Sequence, residues 1–252
     1  MLVRRFRRST CPCFRAPISL CPMHSRLSKC SSVLRIAGLY LTDPFRLLCG
    51  IKLDSIPALS LAIDTMHAIY HIPHIVITSV TFPSTDYSTE QMICVGSTMT
   101  SAGGPRKFVL PVTIIPGQFV GTGDMFSALT LARFREEAAA AGLLNTRSWM
   151  SPDEVDPTEL PLAKALEKVL GSMHGVLELT RSVRDGGLAG LGHDKGGLTP
   201  QQSQAQFMKA SELQLIKGQR YIVEPGEDYK AVELSDPVGE FLSTLQKAST
   251  DY

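Results

Sequence analysis

One junction constrains the fold of this chain more than any other stretch. From Pro57 to His71 (PALSLAIDTMHAIYH), Leu59, Ala62, Ile63, Met66 and Ile69 recur at helical spacing, and Pro57 suits a first helical turn. Ile72-Pro73 stops that helix, and His74–Ser79 (HIVITS) reads as a short, fully buried strand of β-branched residues. Helix, tight break and buried strand in succession make an α/β unit. They predict a central, mostly parallel sheet flanked by helices.

The rest of the chain extends this pattern. Gln91–Ser97 (QMICVGS) and Lys107–Thr113 (KFVLPVT) predict two more strands, with a turn at Ala102-Gly103-Gly104-Pro105. Gly117 to Asp124 reads as a Gly-punctuated loop, and Phe126–Ala141 as a helix of high propensity that Gly142 ends. Leu162–Val183 predicts a second long helix, with Leu166, Val169, Leu170, Met173, Val176, Leu177 and Thr180 along one side. Gly186–Gly197 has the spacing G-x-G-x3-G and no preceding strand, so it reads as a flexible surface insertion, not a dinucleotide fingerprint. Glu212–Lys217 and Tyr229–Leu234 alternate as a terminal strand pair, and Pro237–Gln246 reads as a short closing helix.

Composition narrows the function. A hydrophobic content of 44% supplies a core, which excludes wholesale disorder. With 25 Lys+Arg against 24 Asp+Glu there is no global basic field, which argues against a dedicated nucleic-acid binder. No apolar run reaches the roughly 18–20 residues of a membrane span. The charge is unevenly spread, however. Before Asp43 there is no acidic residue, and five of the six cysteines (Cys11, Cys13, Cys21, Cys30 and Cys49) precede Gly50. Residues 1–32 therefore form an atypical, basic and Cys-rich segment expected to be disordered, distinct from residues 33–252. It reads two ways: as a mitochondrial transit peptide, or as an atypical start without a targeting role, since Pro12, Pro17 and Pro22 interrupt any amphipathic helix. Its cysteines lack the paired C-x2-C spacing of zinc sites. His67 and His71 stand four apart on one helix face, but no acidic or Cys partner is spaced to join them; with His74 they read as surface or packing histidines.

The stretch that carries chemistry is Pro116–Phe126, PGQFVGTGDMF. Gly121-Thr122-Gly123-Asp124 stands where a loop becomes an apolar helix. Glycines there let backbone N–H groups turn inward, and the helix N-terminus adds partial positive charge. Together they suit a phosphate whose charge grows during transfer. Asp124 can cap the helix, or it can take a proton from an acceptor hydroxyl as general base.

Phe119–Leu129 (FVGTGDMFSAL) resembles the signature of the ribokinase-like small-molecule kinases, and among them most closely that of the pyridoxal kinases. Asp64–Val80, Ile93–Ser97, Ala165–Val183, Glu212–Lys217 and Tyr229–Leu234 are similar to successive segments of that family, in family order. The resemblance implies an α/β ribokinase-like fold and an ATP-dependent phosphotransferase acting on the 5′-hydroxyl of pyridoxal, pyridoxine or pyridoxamine. It implies Asp124 as catalytic base, and Gly121, Thr122 and Gly123 as the anion hole. Thr78 and Ser79 would contact ATP phosphates or their metal, Gly96 and Ser97 would lie close to the nucleotide, and Phe119 and Val120 would lie by the adenine–ribose pocket. ATP with Mg²⁺ would be the donor. A homodimer and a cytoplasmic location are expected, the mitochondrion being the alternative location. The core motif alone leaves open another small-molecule kinase of the superfamily, or a truncated pseudokinase that only binds nucleotide.

Two departures from the family stand out. The opening strands, the pyridoxal-ring residues and the lid are not recognisable before Val33, so the sheet is expected to be incomplete on its N-terminal side. The family also places an Asn-x-x-Glu element where Leu41–Gly50 lies; Asp43 stands for the Asn and Arg46 for the Glu that helps organise Mg²⁺. Asp43 is then a weak metal candidate, and an Arg at position 46 reverses the charge.

Overall fold

The computed structural model describes residues 33–37, 48–81, 92–190 and 200–234, with backbone alone at 33–37, 187–190 and 200–203. Residues 1–32, Asp43, Arg46 and the closing helix expected at Pro237–Gln246 lie outside the described residues. Five strands, β1 (Val33–Ala37), β2 (His74–Thr81), β3 (Met92–Met99), β4 (Pro105–Val112) and β5 (Val232–Glu233), form one sheet in that order.

Helix α1 (Ile56–Tyr70) lies between β1 and β2, and these two strands run parallel. The Ser55 side chain accepts from the Ala58 N–H, Pro57 occupies the first turn, and His71 closes the helix in a left-handed conformation. Leu59, Ala62, Ile63 and Met66 are fully buried, whereas Ile69, expected on the same stripe, is 53% exposed in the final turn.

The expectation of a mostly parallel sheet needs correction among the described strands. The β2–β3, β3–β4 and β4–β5 pairs are all antiparallel. Connection length decides this between β3 and β4. A parallel pair needs a crossover of about a dozen residues or more. Here the link is a tight turn, in which Thr100 N–H donates to the Gly104 carbonyl (2.8 Å) and Gly103 takes φ +91°.

Strand alternation sends side chains to two cores. On one face Ile75, Ile77, Val80, Ile93, Val95 and Val109 pack with α1. On the other, Val76, Cys94, Phe108 and Leu110 meet α2 (Thr122–Ala140) and α3 (Pro161–Gly190). The α/β class therefore stands, as a sheet with helices on both faces.

Helix α2 starts at Thr122, four residues before the expected Phe126, so the Thr-Gly-Asp of the motif is its first turn. Its end is a Schellman arrangement: Gly142 (φ +71°) donates to the Ala139 carbonyl and Leu143 to that of Ala138. Helix α3 continues through Gly186 to Gly190, where a flexible insertion is expected; residues 191–199 are not described. Beyond α4 (Pro200–Ala210), the expected strand at Glu212–Lys217 is only a single parallel bridge from Glu212 to Val120, followed by turns and the short helix α5 (Gln219–Val223). Of Tyr229–Leu234 only Val232–Glu233 is strand, and it pairs with β4, not with 212–217. The expected terminal pair is therefore replaced by two separate pairings, Glu212 with Val120 and Val232–Glu233 with β4.

Candidate active site

The site is built around the entry to α2. The segment before the helix is tied down by Val120, whose N–H donates to the Ser211 carbonyl (3.0 Å). Gly121 is the N-cap, in the left-handed region at φ +90°, and it has no side chain with which to cap the helix. Thr122, Gly123 and Asp124 form the first turn, and Met125 N–H closes it on the Gly121 carbonyl (3.0 Å). A helix of 19 residues thus presents an N-terminus with no side-chain cap, and its partial positive charge points outward. Glycine suits the capping position because a Cβ disfavours that φ.

Packing orients the motif. Met125 and Phe126 are buried in the core against the sheet, which turns Asp124 to the exposed side. Asp124 is not the N-cap residue; its carboxylate sits in the first turn, where the helix field favours a negative charge. The N-cap position belongs to Gly121, no side chain caps it, and Asp124 is exposed. Ser127 donates back to the Gly123 carbonyl (2.9 Å) and stiffens the turn.

Thr78 and Ser79 lie at the far end of β2. Thr78 is buried, whereas Ser79 is exposed with φ +59°, at a bulge where the β2–β3 register shifts between Ile77 and Val80. A non-glycine residue in that conformation is strained and belongs to the kind of position found at ligand sites. Val76 and Cys94 beside this bulge share one core with Met125 and Phe126, so this end of the sheet and the α2 entry are packed into the same unit.

Gly96 and Ser97 are not brought to that end. They pair with Val76 and Ile75, so Ser97 stands opposite a residue three positions before Thr78, about 10 Å along the strand. Gly96 is needed for packing, since a Cβ there would run into the Phe108 ring of the neighbouring strand. Ser97 is fully buried, and its hydroxyl meets His67 Nε2 at 2.8 Å.

His67 and His74 are packing groups with committed nitrogens, whereas His71 is exposed at the end of α1. His67 Nδ1 donates to the Ile72 carbonyl (2.6 Å), which leaves Nε2 to accept from Ser97. His74 has the opposite tautomer: Nε2 donates to the Ser148 carbonyl (2.7 Å) and Nδ1 accepts from Thr98 (3.0 Å). Burial pushes the His74 pKa down to about 4 and lowers that of His67. Among the described residues no three His, Cys, Asp or Glu side chains cluster as a metal site.

Phe119 is half-buried and Val120 is exposed, on the segment leading into Gly121. One neighbour was missed in the sequence: Arg184 of α3, whose guanidinium lies over the Phe119 ring at 5.5 Å. Arg184 follows Thr180 by one turn on the buried side of α3, but nothing in that local spacing names the partner it meets.

Comparison with known proteins adds to this geometry. No protein-family model matches the chain. Two proteins of Schizosaccharomyces pombe, each named putative pyridoxal kinase, are similar in sequence. One is 26% identical over 190 residues, covering 74% of this chain and 50% of the relative. The other is 34% identical over 125 residues, covering 49% of this chain and 34% of the relative. The chain thus spans at most half the length of these curated relatives. Among solved structures, pyridoxal kinase from Leishmania donovani in complex with ADP superposes with a TM-score of 0.51 at 16% identity, covering 76% of this chain and 49% of that one. Its complex with ADP and pyridoxine gives 0.50 at 15% identity, covering 76% and 48%. This likeness shows the fold, which is ribokinase-like.

Proposed function

We propose that this pyridoxal kinase-like chain carries the phosphate-transfer part of a kinase that uses ATP to phosphorylate the 5′-hydroxyl of pyridoxal, pyridoxine or pyridoxamine. The observation that carries the reading is the entry to α2: a left-handed Gly121 at a helix N-terminus with no side-chain cap, and Asp124 exposed in its first turn. The curated relatives, each named putative pyridoxal kinase, support the acceptor.

In this reading the N–H groups of the Gly121–Asp124 turn face the γ-phosphate and stabilise the charge that builds on its oxygens. Asp124 accepts the proton of the acceptor hydroxyl. The hydroxyl oxygen forms a bond to phosphorus as the bond to the β–γ bridging oxygen breaks, and ADP leaves. Thr78 and Ser79 contact the phosphates, and Phe119 and Val120 border the adenine and ribose. Mg²⁺ bound to the ATP phosphates would neutralise part of their charge, and Thr78 and Ser79 are the described side chains that would lie near it. The described residues offer no metal cluster of their own, so no step is assigned to the ion. We assign Gly96 and Ser97 to packing. The kinase part is residues 33–252, with residues 1–32 a separate segment. A cytoplasmic location, with the mitochondrion as the alternative, and a homodimer belong to this proposal by resemblance alone. No described helix is long and apolar enough to cross a membrane.

An ADP-release assay with pyridoxal tests the reading. Asp124→Ala is expected to lower kcat by about 10²–10⁴ while nucleotide affinity changes little. A folded wild-type sample with no pyridoxal-dependent turnover overturns it, and tight ATP binding without turnover identifies a nucleotide-binding protein instead.

A further inference from the structure

The charge buried beside the motif is not used by the chemistry above. The Arg184 side chain is 8% exposed, and its Nε donates to Asp185 Oδ1 at 2.9 Å. Its Nη1 makes a long contact (3.5 Å) with the Gln118 carbonyl, and its guanidinium carbon lies over the Phe119 ring, 5.5 Å from the centroid. Space for the guanidinium exists because Gly117 has no side chain; a Cβ at Gly117 would collide with it. Gly117 also holds φ +129°, which favours glycine.

One turn earlier on α3, the buried Thr180 hydroxyl donates to the Val176 carbonyl (2.7 Å) and accepts the Gln214 N–H (3.1 Å). Gln214 follows the Ser211–Glu212 segment that pairs with Val120. Helix α3 therefore grips both segments of the small junction that ends at Gly121, one through Thr180 and the other through Arg184.

We propose that Arg184 is a positioning residue that clasps Gly117–Phe119 and thereby sets the Gly121–Asp124 turn. Arginine is suited to this. A planar guanidinium covers an aromatic face while its edge bonds a carbonyl and a carboxylate, and Asp185 balances its charge. Lysine keeps the charge but loses the plane. The effect on catalysis rests on the kinase reading; the clasp itself does not.

Hydrogen exchange of the full chain tests the clasp without substrate. In Arg184→Met, exchange of segment 117–121 is expected to rise about tenfold while β2–β4 keep their protection. Arg184→Lys should recover only part of it. In the kinase assay the KM for ATP should rise about tenfold with little change in the KM for pyridoxal. Unchanged exchange at 117–121 in folded variants overturns the proposal, as does an equal rise throughout α3 and the sheet. Faster exchange at 117–121 in a protein whose wild type binds no nucleotide supports the clasp and removes the kinase reading. Intact nucleotide binding with unchanged exchange removes the clasp alone.

Discussion

His67 Nε2 and Ser97 Oγ meet at 2.8 Å inside the layer between α1 and β3, with Ser97 fully buried. The pair joins a helix to a strand and commits a hydroxyl that the family resemblance made a nucleotide candidate.

Ser97→Ala should therefore act on stability. It leaves the buried Nε2 of His67 without its donor, a cost of about 1–3 kcal/mol. Urea unfolding is expected to show that loss, while the KM for ATP stays at the wild-type value. A raised KM with unchanged stability would return Ser97 to the site.

Gly121→Ala probes the turn itself. A Cβ there would have room, its nearest neighbour being Leu213 Cδ1 at 3.9 Å, so the penalty comes from φ +90°. The expected destabilisation is about 1–2 kcal/mol. The loss of kcat in the ADP-release assay should exceed what that destabilisation explains. Full kcat in Gly121→Ala would mean that the turn does not shape the transition state.

Gly96→Ala should be destabilising by about 1–3 kcal/mol, since its Cβ meets the Phe108 ring across the β3–β4 pair. Phe108→Leu makes room for that Cβ at its own cost. The two changes together should cost less than their sum in a double-mutant cycle. Simple additivity would show that ring and glycine are not in conflict.

Acid should weaken the fold through His74. Its folded pKa of about 4 lies below its ordinary 6.5, because burial disfavours the charged ring. Between those values the unfolded chain binds more protons, so stability rises with pH across the window. The contribution is complete above about pH 6.5 and is lost as pH falls toward 4, amounting to roughly 3 kcal/mol. His67, also lowered by burial, adds in the same direction. Unfolding midpoints at pH 7 and pH 4.5 should differ less in His74→Gln than in wild type. Equal differences in the two proteins would assign the acid lability elsewhere.

Much of the site was legible before any coordinates, because its information is local. Helical spacing from Leu59 to Met66, β-branched residues from Ile75 to Ile77, and glycines around Thr122 state their backbone preferences within a few residues. The α1–break–β2 unit, the apolar stripe of α3 and the glycine turn before Asp124 all appear in the fold as those preferences require.

Tertiary structure decided what depends on partners distant in the chain. The antiparallel direction of β3 against β2 is a matter of pairing. The fate of Glu212 follows from Val120 being the nearer partner, and Ser97 is withdrawn by a histidine 30 positions earlier. Arg184 makes the same point for the candidate site. It lies 66 residues from the carbonyl of Gln118 that it contacts, and no local pattern encodes a contact made only when α3 packs beside the motif. Backbone preference is written residue by residue, whereas burial and hydrogen-bond partnership exist only once the layers have closed on one another.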